Sequence, residues 1–128
     1  MTSASGSFQV ASWNEDTYEE LESGRGLTQA IVTLAFSGAV EGEGSVRWLM
    51  AYRDDGTASF VGLARIKGTV DGRSGAFVLE NSGTFDGMVA RGSWSVVEGS
   101  GTGELLGITG TGGFEAAQEA TYILEYAL

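Results

Sequence analysis

The chemistry open to this chain is set first by what it lacks: its 128 residues include no histidine, no cysteine and no proline. There is no thiolate nucleophile, no imidazole base, and no His/Cys set for zinc or haem ligation. Serines are present, but a serine hydrolase also needs a base and a strand–turn–helix elbow, and neither is visible. What remains is carboxylates, hydroxyls, amides, guanidinium groups and aromatic surfaces. Tyr52 and Asn81 are the candidate catalytic residues, because each offers a neutral hydrogen bond to a carbonyl oxygen as its charge builds. Trp48, Met50, Phe60, Phe77, Phe85 and Trp94 are the candidate ligand-binding residues beside them. Their ordinary alternative is core packing. Trp48, Tyr52 and Trp94 are less bland, since each carries a polar atom that needs a partner when buried.

These residues share a face only if the chain is built of strands. Alternation supports that reading. Phe8 and Val10 point one way, with Gln9, Ala11 and Trp13 the other. In residues 27–36, Ala30, Val32, Leu34 and Phe36 share a face; in 42–53, Val46, Trp48, Met50 and Tyr52 do. Further strands are expected over residues 57–70, 75–85, 89–97 and 121–128, with a short one at 104–108 inside a glycine-rich segment, 99–113. The turns Asp54-Asp55-Gly56, Asp71-Gly72 and Asp86-Gly87 supply the local hydrogen bonds or positive φ that hairpins need. Gly62, Gly75, Gly83 and Gly92 fit tightly curved strands. Gly101-Thr102-Gly103 and Gly110-Thr111-Gly112-Gly113 lack the lysine and capped helix of a phosphate loop. The fold class is therefore all-β: a closed, eight-stranded, mainly antiparallel barrel, with an open sandwich as the alternative.

One domain, residues 1–128, is expected at this length. A formal net charge of -10 disfavours nucleic acid and anionic membranes as partners. The N-terminus has neither a basic region nor an apolar run, and no stretch suits a membrane helix, so a cytoplasmic location is expected. Glu15, Asp16, Glu19, Glu20 and Glu22 read as a solvated segment between the first two strands, tacked down by Tyr18 and Leu21. Glu80 and Glu125 alternate outward, where Arg47, Arg65 or Arg91 would face them. Asp54-Asp55-Gly56 is too short for an EF-hand loop, so no metal and no other cofactor is expected.

Several ordered blocks carry a resemblance. Leu49-Met50-Ala51-Tyr52-Arg53, Thr57-Ala58-Ser59-Phe60-Val61-Gly62-Leu63, Gly72-Arg73-Ser74-Gly75-Ala76-Phe77-Val78-Leu79 and Ser82-Gly83-Thr84-Phe85 resemble the DUF3224 family of small bacterial proteins. The run from Gly101 to Phe114 does too. The resemblance implies a barrel similar to that of plant allene oxide cyclase, whose relatives shape reactive small molecules. It departs at two positions: the family commonly has glutamate where this chain has Ala64, and often histidine where it has Asn81. An acid–base pair of that kind is therefore not available here.

The resemblance implies a cofactor-independent cyclase or isomerase for an apolar, polyketide-like small molecule. It would act by confinement and neutral hydrogen bonding. The alternatives are a noncatalytic carrier or sensor and a wholly packed structural barrel. A cavity of roughly 300 Å³ or more near Trp48, Asn81 and Trp94 would separate the first two from the third. A homodimer through exposed aromatic strand residues is the expected assembly.

Overall fold

Alternating apolar and polar residues make each strand a ribbon with one face for the core and one for water. A computed structural model describes residues 1–22 and 26–128 of the chain. Its strands are β1 (Thr2–Glu20), β2 (Gly26–Gly38), β3 (Val40–Tyr52), β4 (Ala58–Val70), β5 (Arg73–Phe85), β6 (Ala90–Val96), β7 (Thr109–Ala116) and β8 (Ala120–Ala127). Each pairs antiparallel with the next, and β8 returns to β1, closing the barrel. The apolar faces anticipated for β2 and β3 point inward and are buried, Tyr52 alone being only partly so. Asp71 and Gly72 turn β4 into β5 with φ of 49° and 83°, the doubly positive pair a tight hairpin turn requires.

Small residues across the barrel accommodate large ones. One inward row runs Trp48, Gly62, Asn81, Trp94 on adjacent strands. A second runs Phe60, Gly83, Gly92, Phe114. A Cβ added at Gly62 would lie 2.6 Å from the Trp48 ring, and one at Gly92 2.4 Å from the Phe114 ring. The rings therefore lie across bare backbone.

The two ends differ. At one, the β6–β7 connection folds under the barrel through a 3₁₀ turn, Gly103–Leu105, which buries Leu105 and Ile108. Glu104 accepts from the Ser74 N–H there, tying the connection to β5. Residues 104–108 are thus a plug rather than the expected short strand. The strand comes later, as β7, where Gly110 and Gly112 occupy inward positions opposite Tyr126 and Leu124 and so erase the alternation. At the other end the rim is Tyr52, Ala58, Phe85, Ala90, Ala116, Ala120 and Phe8. Four alanines in that row leave the mouth unfilled.

The first hairpin overhangs this mouth. β1 pairs with β8 only over Thr2 to Phe8, while its ladder with β2 continues to Glu20. The acidic residues Glu15 to Glu20 therefore lie within a strand, not in a segment between strands, and Tyr18 is exposed rather than tacked down. A bulge between Val10 and Ser12 adds one residue, so Trp13 faces the same way as Phe8 and Val10, contrary to simple alternation. Glu80 and Glu125 are exposed as expected, but their ladder neighbours are Leu63 and Ser95, and Thr111 and Ser3, not arginines. The exposed large residues on the outer faces of β2, β3 and β4 are aliphatic: Ile31, Leu49, Val61 and Leu63. Among the described residues, no helix is long and apolar enough to cross a membrane.

Candidate functional site

A pocket of about 190 Å³ opens at the alanine rim. Phe8, Val10 and Trp13 of the overhanging β1 form one wall. Trp48, Met50 and Tyr52 of β3, Phe60, Phe85 and Phe114 form the others, with Ala90 and Ala116 at the edge. The indoles of Trp13 and Trp48 lie with ring centroids 5.7 Å apart, and Phe60 stacks on Phe114 at 6.1 Å. The bulge in β1 is what brings Trp13 into this group. Longer side chains at Ala90 or Ala116 would occupy the space.

One carboxylate organises the polar side of the mouth. Glu15, partly buried, accepts from Trp13 Nε1 at 3.0 Å, from Thr28 Oγ1 at 2.7 Å and from the Tyr52 hydroxyl at 2.8 Å. Two of these donors, Trp13 and Tyr52, are themselves pocket walls. The pocket is therefore an aromatic box with one carboxylate bonded to the polar edges of two of its rings. Among the described residues, no group of three or more acidic side chains is disposed to hold a metal ion.

The sequence candidates divide between this mouth and the interior, where Asn81 and Trp94 also border a wide, open concavity of about 1320 Å³ formed mainly by outward-facing residues of β2 to β7. Trp48, Met50, Tyr52, Phe60 and Phe85 meet at the pocket; Phe77, Asn81 and Trp94 do not. Asn81 is buried one row deeper, and its Oδ1 accepts from Trp48 Nε1 at 2.5 Å. Trp94 Nε1 donates to the Ile123 carbonyl at 3.1 Å, and Phe77 packs in the core. Reading the sequence missed Glu15, Trp13, Phe8 and Phe114. Thr28 was the available signal, a polar residue two positions before Ala30 on an otherwise apolar inward face. Glu15 and Trp13 needed knowledge of the bulge, and Phe114 needed the true position of β7.

Two other tyrosines sit on the β8 face. Tyr126 donates to the Asp71 carboxylate, and that bond, with burial, raises its pKa above the usual phenol value. Burial likewise raises that of Tyr122, whose hydroxyl accepts from Val40 N at 2.9 Å and contacts the Ser37 carbonyl at 2.9 Å. Asp86 is lowered by the Val89 and Met88 N–H groups of the β5–β6 turn.

The family model for a protein of unknown function, DUF3224, matches residues 4–126. A crystal structure of a DUF3224-family protein of unknown function from Shewanella oneidensis MR-1 is similar, with 29% identity and a TM-score of 0.87. That match covers 100% of this chain and 97% of the other. No curated protein matches the chain.

Proposed function

The chain belongs to the DUF3224 family, and on that footing we propose that its barrel binds a small, mainly apolar molecule at the open mouth. The observation that carries this reading is the pocket itself: about 190 Å³, walled almost entirely by apolar side chains and left open by Ala90 and Ala116. The volume lies below the roughly 300–1,000 Å³ of drug-sized sites, so the fitting ligand is about one ring or a short branched chain. A fused polycycle would insert only an edge. Carriage or sensing needs nothing beyond this pocket. Titration with small aromatic and branched aliphatic alcohols, followed by tryptophan fluorescence and by NMR shifts of rim residues, tests it. Binding should be lost in Ala116→Leu, which fills the mouth; no saturable shift in the native protein would refute the reading.

A second reading, cofactor-independent cyclisation or isomerisation, is favoured by the 2.8 Å bond from Tyr52 to Glu15. The phenol's one proton is given to Glu15, which leaves the Tyr52 oxygen as an acceptor on the pocket wall: a proton taken from a bound substrate would pass to that oxygen as the phenol's own proton passes to the carboxylate. Asn81 belongs to this reading as a positioning residue, since its bond holds the Trp48 indole. Turnover of a bound candidate, lost in Tyr52→Phe while binding persists, would separate catalysis from carriage.

A further inference from the structure

The walls of the mouth are more specialised than an apolar ligand requires. Seven of the 11 residues lining it are aromatic: Phe8, Trp13, Trp48, Tyr52, Phe60, Phe85 and Phe114. Aliphatic walls would serve a neutral hydrocarbon equally well. What aromatic faces add is a negative quadrupole, which attracts a cation lying over the ring, most strongly over indole and phenol.

Glu15 strengthens that property at the right rings. Its Oε1 accepts from the Trp13 N–H, and its Oε2 from the Tyr52 hydroxyl. A donor hydrogen-bonded to a carboxylate becomes more electron-rich, so both rings present a more negative face to the pocket. No ion pair to Glu15 occurs among the described residues. The carboxylate therefore adds its own field at the rim. The overhanging strand has the same sign, since Asp16, Glu19 and Glu20 continue along it. Of the cations near the rim, Arg91 is engaged with Asp86 and Glu115, and Arg53, next to Tyr52, donates to Thr57 and Ser59.

We propose that the mouth pocket is selective for a small organic ammonium ion, its alkylated nitrogen held against Trp13, Trp48 and Tyr52 with Glu15 at the rim. The apolar substituents of the cation would fill the space beside Phe60, Phe85 and Phe114. A volume of about 190 Å³ suits a compact quaternary or tertiary ammonium, roughly six waters in size at ~30 Å³ each. This inference rests on the pocket being a ligand site, and its test keeps the two claims apart.

The probes are choline and 3,3-dimethylbutan-1-ol, which share shape and hydroxyl and differ in the charge of one central atom. Calorimetric or NMR titration of the native protein should give an affinity for choline at least about tenfold above that for the neutral alcohol. Glu15→Gln should lower the ratio of choline to alcohol affinity severalfold, and Ala116→Leu should abolish both. Equal affinities for the two probes would overturn the cation proposal while leaving the pocket as a site for neutral molecules. Binding of neither probe to the native protein would overturn both. The native comparison needs no variant to fold, so a misfolded Glu15→Gln protein would not rescue the proposal.

Discussion

Asn81 illustrates how a residue's type can suggest one role and its neighbours assign another. Its position on the inward face was legible from Phe77, Leu79 and Phe85 at alternate positions. Its partner was not, because Gly62 stands between it and Trp48 in the sheet. The absent side chain at Gly62 lets the indole cross a whole strand, and its N–H reaches Asn81 Oδ1 at 2.5 Å. The bond is buried, so removing one partner is worse than removing both. Asn81→Ala should lower stability in urea by about 1–3 kcal/mol by leaving the indole N–H unmatched. The Trp48→Phe, Asn81→Leu double variant should recover part of that loss. Additive single losses would show that the pair is not coupled.

At the scale of elements, six of the eight strands could be read directly from alternation, since a single buried face imposes a period of two. β1 and β7 resisted for opposite reasons. In β1 an inserted residue shifts the period at Ala11, so that Trp13 and Glu15 join a face that simple counting denies them. In β7 the period is intact but written in Gly110 and Gly112, which carry no hydrophobic signal. Much of the mouth was hidden by these two irregularities. The β4–β5 turn, by contrast, was plain from Asp71-Gly72, and the structure adds that Asp71 also accepts from Tyr126. That bond, followed by burial, holds the phenol's folded pKa above its unfolded value. The folded state thus binds this proton more tightly. The associated stability is full below about pH 10, where unfolded tyrosine is also protonated, and declines as pH rises through the higher folded value. Between pH 9 and about 11.5 the melting temperature of the native protein should fall more steeply than that of Tyr126→Phe. Parallel profiles would remove Tyr126 from the alkaline transition.

The whole molecule is a single closed sheet whose continuity depends on the seam between β1 and β8, only Thr2 to Phe8 long on the β1 side. A short seam beside a long overhang would be the natural place for the barrel to open. Tyr122 counters this by reaching from β8 across β1, over Gly6, to the β2–β3 turn. There its hydroxyl accepts from the buried Val40 N–H and donates to the Ser37 carbonyl. A Cβ at Gly6 would sit 2.6 Å from that hydroxyl, so the crossing needs glycine beneath it. The same device, a polar aromatic spanning a glycine to bond the strand beyond, therefore secures both the Trp48 row and the seam. Because every strand is bonded on both sides through most of its barrel length, loosening the seam should not free one subregion while sparing the rest. Tyr122→Phe deprives Val40 N–H of its acceptor and should cost about 1–3 kcal/mol. That loss should appear equally in the far-ultraviolet circular dichroism and tryptophan fluorescence transitions, which should remain coincident. With Trp13→Phe in place so that only Trp48 and Trp94 report, a fluorescence transition that separated from the dichroism change would mean that their row unfolds independently of the seam, and that the barrel is held as two cooperative halves.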